Sequence, residues 1–93
     1  MELKDTIKLM NSSDYKERFI AEYQQVKIRF DKLKNLLNKW DAYSCHYRQE
    51  KTFEEYLGFT PTCSFEVLKR QLAVMGEYLH LLELRAKVEN IEL

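Results

Sequence analysis

Two long rows of apolar residues at alternating steps of three and four, together with only two glycines and one proline in 93 residues, predict an all-α chain. The shortage of turn-forming residues argues against a sheet. A content of 45% apolar and 32% charged residues argues against disorder. A chain of this length makes one small domain, residues 1–93, whose core is marginal unless it is stapled or shared with another copy. The expected architecture is a short N-terminal helix and two long helices packed as a helical hairpin, assembled as a homo-oligomer.

The short helix is expected over residues 2–10, with Leu3, Ile7 and Met10 along one side, and Asn11-Ser12-Ser13 ends it. Asp14 opens the first long helix, residues 14–40. Glu17 lies three positions on, the spacing at which two side chains satisfy the orphan backbone N–H groups reciprocally. Tyr15, Phe19, Tyr23, Val26, Phe30, Leu33, Leu37 and Trp40 form its packing seam. At about 1.5 Å per residue this helix reaches roughly 40 Å.

Residues 41–63 lose the period and hold Tyr43, His46, Tyr47, Phe53, Tyr56, Leu57 and Phe59. Thr52 with Glu55 can cap a short helix that Gly58 stops, which makes this segment an ordered aromatic connection. Pro61 blocks an early start to the second long helix, placed at residues 64–90 from Ser64. Its seam is Phe65, Leu68, Leu72, Met75, Leu79, Leu82 and Ala86. A second row, Val67, Val74, Leu81 and Val88, runs beside it at strict sevens. Two helices in a hairpin bury one stripe each, so this surplus face is the reason to expect a homo-oligomer.

No run approaches the eighteen or so apolar residues of a membrane span, and Met1-Glu2-Leu3-Lys4-Asp5 has no apolar signal core, so a cytoplasmic protein without a membrane partner is expected. Cys45 and Cys63 are too few for a disulfide framework and read as reduced thiols, with a loop disulfide between them as the alternative. The chain has no glycine-rich phosphate loop, nucleophile elbow, HExxH or paired CxxC; no enzyme and no cofactor are expected. Cys45, His46, Cys63 and His80 lack the spacing of a metal site. Glu54 and Glu55, neighbours on a helix, point about 100° apart and read as a solvated face rather than an acid–base pair.

Charge is more informative. Fifteen basic residues cancel fifteen acidic ones overall, but the first long helix carries seven basic against four acidic residues and residues 41–93 carry a net −3. That asymmetry has a plain reading, attraction between the two long helices. A sharper one is an anion site: Arg18, Arg29 and Lys32 are spaced eleven and three apart, close to whole turns, and share a side of the helix. Tyr15 lies one turn before Arg18. An aromatic beside forked guanidinium donors suits a phosphorylated ring compound, one stacking on a base and the other holding phosphate oxygens. Tyr15 and Tyr23 also lie on the apolar seam, where packing is the alternative. Nucleic acid is not expected as a partner, because acids interrupt the basic stretch and the rest of the chain is acidic.

At Asp14-Tyr15-Lys16-Glu17-Arg18-Phe19-Ile20-Ala21-Glu22-Tyr23, continuing to Val26, Arg29, Lys32 and Leu33, the sequence resembles a family of small helical proteins of phages and prophages. The run Gln71-Leu72-Ala73-Val74-Met75-Gly76-Glu77-Tyr78-Leu79-His80-Leu81-Leu82-Glu83-Leu84-Arg85 is similar to that family's closing Gln-Leu-x-x-Met-x-x-Tyr-Leu-x-x-Leu-x-x-Arg. The family includes the phage anti-CBASS sponges, which sequester cyclic oligonucleotide alarm signals of the host without cleaving them. The resemblance implies a short helix and two long antiparallel helices in a compact hexamer, working in the cytoplasm of the host bacterial cell. It also implies ligand contacts at Tyr15, at Arg18, and at Arg29 or Lys32, in pockets between protomers. Arg29 stands where the family usually has lysine, and the 41–63 connection is longer than the family's loop. The function so implied is immune evasion by sequestering a cyclic nucleotide, a cyclic dinucleotide foremost. The alternative is a non-enzymatic coiled-coil-like module that docks a host or phage protein through its second apolar row.

Overall fold

The structure, a computed structural model, describes residues 1–46, 55, 57, 58 and 62–93, and of residues 44–46 the backbone alone. The described residues are helical and include no strand. A 3₁₀ turn at Leu3–Asp5 leads into α1, Thr6–Met10; α2 is Tyr15–His46 and α3 is Phe65–Glu89. The molecule measures 51 × 25 × 19 Å, and its long dimension is close to the roughly 48 Å that a helix as long as α2 spans.

The N-terminal segment departs from the expected apolar side. Ile7 and Met10 are exposed, and the buried residue is Thr6, a polar one. Burial of a hydroxyl is tolerable only when it is bonded. Thr6 Oγ1 donates to Leu3 O at 2.6 Å and accepts from Gln25 Nε2 at 2.9 Å. The same Gln25 amide meets Met10 Sδ at 2.7 Å, so a polar clasp joins α1 to α2 while Leu9 is half-buried and Ile7 exposed.

The start of α2 also differs from the reciprocal cap expected of Asp14 and Glu17. Asp14 Oδ1 accepts from Lys16 N at 3.0 Å, but the Asp14 N–H goes to Ser12 Oγ, not back to Glu17. The far end runs past Trp40 to His46. The reason is in the sequence: Tyr43 lies three residues beyond Trp40 and continues the seam, stacking on the Trp40 ring at 5.7 Å, and no glycine or proline intervenes. The connection therefore begins later than residue 41. Within it Glu55 and Leu57 are helical and Gly58 adopts φ +78°, the left-handed turn that glycine accepts most readily. The Thr52 cap and the Pro61 break lie outside the described residues.

Helix α3 opens on Ser64, whose Oγ accepts from Val67 N at 3.4 Å. It closes on Asn90 at φ 56°, with Ile91 N donating to Ala86 O at 2.8 Å, the left-handed cap that satisfies a terminal carbonyl. The cap turns Ile91 inward, where it is buried.

The two long helices pair in opposite directions. Tyr15 bonds Glu89, Tyr23 bonds Glu83, Phe30 lies against Gly76, and Trp40 meets Phe65 edge-on at 6.5 Å. Phe19, Tyr23, Leu79, Leu82, Ala86 and Ile91 form one core cluster, with Val26 and Phe30 against it. Leu37 and Trp40 anchor a second, joined by Leu33, Leu68, Leu72 and Leu57 of the connection. Complete burial of a leucine such as Leu82 or Leu37 contributes about 1.5–3 kcal/mol. The row Val67, Val74, Leu81 and Val88 stays on the surface, with Val88 82% exposed.

Candidate functional site

The end of α1, the start of α2 and the last turns of α3 converge on a cleft of about 290 Å³ lined by Met10, Tyr15, Arg18, Phe19, Glu22 and Arg85. The antiparallel pairing brings this about, since it sets the first residues of α2 beside the last residues of α3. Tyr15 opens α2 and its ring is half in water, unlike Tyr23 two turns on, which is buried in the core. Packing therefore takes Tyr23 and leaves a face of Tyr15 accessible. Phe19 forms the floor, its ring tilted 57° to that of Tyr15 with centroids 6.2 Å apart.

Two guanidinium groups line this cleft. Arg18 Nη1 donates to Ser12 O at 2.8 Å, which spends one of five N–H donors on a neutral carbonyl. Arg85 lies with its Cζ 5.1 Å from the centre of the Phe19 ring, a cation over an aromatic face. Its Nη2 donates to Tyr15 Oη at 2.6 Å and its Nε to Glu89 Oε2 at 3.2 Å. Tyr15 Oη in turn donates to Glu89 Oε1 at 2.9 Å. That bond to a carboxylate is the main reason the Tyr15 hydroxyl titrates above the ordinary tyrosine range. Glu22 adds one acid to the wall, with its Oε1 accepting from Tyr78 Oη at 2.7 Å, and the Tyr78 hydroxyl is raised for the same cause.

Of the residues expected to share a site, Tyr15 and Arg18 meet here. Arg29 and Lys32 do not. They lie on the same side of α2, but about 16 and 21 Å further along its axis at 1.5 Å per residue. Lys32 lines a separate cleft of about 470 Å³ with Met1, Glu2, Leu3, Lys4 and Ile28. Arg29 is exposed and lies in neither cleft. Sequence reasoning missed Arg85 and Glu89 as site residues. Arg85 closes the second quoted motif, which was a signal, but its approach to Tyr15 depends on the register between α2 and α3. A third cleft, at Tyr23, Glu83, Lys87 and Leu93, is built around a tyrosine–glutamate bond rather than an accessible cation pair.

His80 and Cys63 are exposed and Cys63 is a free thiol; the side chains of Cys45 and His46 lie outside the described residues. Among the described residues no helix is long and apolar enough to cross a membrane. The first cleft offers an aromatic face and two forked cations, a combination suited to recognising an anionic ring compound.

A family model described as Sequestin matches residues 13–88, a span that holds α2, all of α3 but its last residue Glu89, and every residue lining this cleft except Met10. No curated protein and no solved structure matches the chain.

Proposed function

This chain belongs to the Sequestin family, the name of anti-CBASS cyclic-oligonucleotide sponges, and on that premise we propose that it binds and sequesters a cyclic nucleotide second messenger of a host anti-phage system, a cyclic dinucleotide foremost. Membership carries a binding role rather than a catalytic one. The observation that supports the finer reading is the convergence of Tyr15, Phe19, Arg18 and Arg85 on one cleft. Tyr15 stacks on a base, and the arginines hold the phosphate oxygens. The ligand is held intact, in keeping with the binding role that membership of the family implies.

Sequestration is stoichiometric and calls for tight binding, near nanomolar or about −12 kcal/mol. One open cleft on one protomer is a poor source of that affinity, and a site closed between subunits is a better one. Two features favour such an assembly. Arg29 and Lys32 stand too far along α2 to join Arg18 on a compact ligand within one protomer, and an assembly in which a neighbouring copy supplies them is the arrangement that gives them the role the family resemblance implies. The exposed row of Val67, Val74, Leu81 and Val88 supplies an apolar face for that copy. The working form is therefore a homo-oligomer, a compact hexamer in the family's manner, in the cytoplasm of the infected bacterium.

The test is recovery of the ligand. The protein is incubated with each of a set of cyclic di- and trinucleotides, the free fraction is removed, and the bound material is released by heat and resolved by chromatography. One member is expected to be depleted in proportion to protein and returned intact. Arg29→Glu, with helical content and assembly unchanged, is expected to abolish the depletion. A linear product overturns sequestration without cleavage, and undiminished capture by Arg29→Glu overturns the placement of Arg29 in the site.

A further inference from the structure

Glu89 stands beside the cleft and holds two of its lining residues, Tyr15 and Arg85, and that contact identifies what the cleft is shaped to hold. One carboxylate presents two oxygens side by side: Oε1 takes the Tyr15 hydroxyl at 2.9 Å and Oε2 takes Arg85 Nε at 3.2 Å. A phosphodiester presents the same pattern, two non-bridging oxygens sharing one negative charge, and guanidinium groups bind both kinds of anion through the same fork. Arg85 is the guarded cation of the two. Arg18 is bonded to a backbone carbonyl, whereas Arg85 is bonded to an acid on its own helix, four residues on. Neither partner of this pair is locked away, since the Arg85 side chain is 54% and that of Glu89 33% exposed. Glu89 is the last residue of α3, so its side chain has solvent to turn into.

We propose that Glu89 is an internal stand-in for the ligand's phosphodiester: it occupies Arg85 and Tyr15 when no ligand is bound, and a ligand enters by exchanging its own phosphate oxygens for that carboxylate. The ligand class here rests on the sequestration reading; the exchange itself rests on the geometry of Arg85, Tyr15 and Glu89. The device sets specificity. A neutral nucleoside gains nothing by displacing a charged partner from Arg85, while a phosphodiester replaces one charge-assisted bond with another and keeps the guanidinium paired throughout. The exchange also releases the Tyr15 hydroxyl from Glu89 while its bond from Arg85 Nη2 remains. Glu22, the carboxylate that lines the cleft itself, is engaged by Tyr78 and lies on α2, and it has no described bond to Arg85.

The probe is dimethyl phosphate, the simplest phosphodiester monoanion, with neutral trimethyl phosphate as its control. Binding is followed by saturation transfer to the methyl protons of the phosphate in wild type, Glu89→Gln and Arg85→Gln, and where Arg85 is present its Nε–H resonance and that of Arg18 locate the contact. Glutamine keeps the shape of Glu89 and removes its charge. An exposed ion pair of this kind is modest in strength, so Glu89→Gln is expected to bind dimethyl phosphate about two- to fivefold more tightly than wild type. Arg85→Gln is expected to lose binding, and trimethyl phosphate to leave all three proteins unmoved. Equal or weaker binding by Glu89→Gln overturns the proposal, as does a response confined to Arg18 while Arg85 is still. Titration of wild type and Glu89→Gln with cyclic dinucleotides separates this proposal from the reading beneath it. A cyclic dinucleotide bound equally by both proteins overturns the exchange and leaves sequestration standing. A tightened dimethyl phosphate site with no cyclic nucleotide bound upholds the exchange and overturns the sequestration of such a messenger.

Discussion

Gly76 is a glycine in the middle of a long helix, and the structure says what replacing it will do. A Cβ at this position would stand 3.4 Å from Phe30 Cε2 and 3.8 Å from Phe30 Cζ. Both are ordinary contact distances, so alanine fits without moving the ring. The glycine itself costs the helix about 0.8–1.0 kcal/mol relative to alanine, chiefly through backbone freedom in the unfolded chain. Gly76→Ala is therefore expected to stabilise the protein by about 0.5–1 kcal/mol. For a domain of this size that raises the melting temperature by about 2–8 °C, since each kcal/mol is worth about 4–8 °C. Gly76→Val carries two further methyl carbons toward Phe30 and is expected to be destabilising by about 1–3 kcal/mol. The assay is thermal denaturation followed by far-ultraviolet circular dichroism, with all variants at one protein concentration because an oligomer's midpoint depends on it. A lower midpoint for alanine refutes the room for a Cβ beside Phe30, and equal midpoints for alanine and valine refute the packing of Phe30 on Gly76.

Leu82 is 1% exposed at the centre of the larger cluster, and Leu82→Ala is expected to cost about 2–5 kcal/mol, read as a lower urea midpoint with unchanged slope; a loss under 1 kcal/mol contradicts its burial. Burial, with help from the bond to Glu83, pushes the Tyr23 hydroxyl up to about 12 from its ordinary value of 10.0, and Tyr15 and Tyr78 shift the same way. A folded-state value raised above the unfolded one gives stability that is complete below pH 10 and is lost as pH rises toward 12. Melting temperatures measured from pH 8 to 12 are expected to fall across that window, and less steeply in Tyr23→Phe; an identical slope in the variant contradicts the assignment.

How much of this was legible in the sequence depends on which interaction decides each feature. The seams were legible because burial repeats at helical spacing: Phe19, Tyr23, Leu37, Trp40, Leu79, Leu82 and Ala86 were all read as core and all are buried. The Ser64 cap was legible from its local chemistry. The burial of Thr6 was not, because nothing near it in sequence announces that Gln25, nineteen residues away, will satisfy its hydroxyl. The end of α2 was misplaced because Tyr43 was counted with the aromatic connection instead of with the seam it extends.

The cleft was half legible. Tyr15 and Arg18 are one turn apart and had to be neighbours on any helix. Arg85 and Glu89 join them only through the pairing of Tyr15 with Glu89 and Tyr23 with Glu83, a register fixed by both long helices together. Arg29 and Lys32 share the side of α2 that their spacing implied, but sharing a side over three or four turns is not sharing a pocket.

The central claim is that the cleft at Tyr15 and Arg18 takes a cyclic nucleotide, and the most direct test is the thermal shift of the purified protein against cyclic dinucleotides, cyclic trinucleotides and cyclic ADP-ribose variants. A ligand that binds only the folded state at a thousand times its dissociation constant adds about 4 kcal/mol of stability. One cyclic dinucleotide raising the midpoint by several degrees, with the rise lost in Arg29→Glu, is the result this account predicts. A flat response across the panel, from protein that is folded and assembled, contradicts it and points to the exposed row of Val67, Val74, Leu81 and Val88 as a surface for a protein partner.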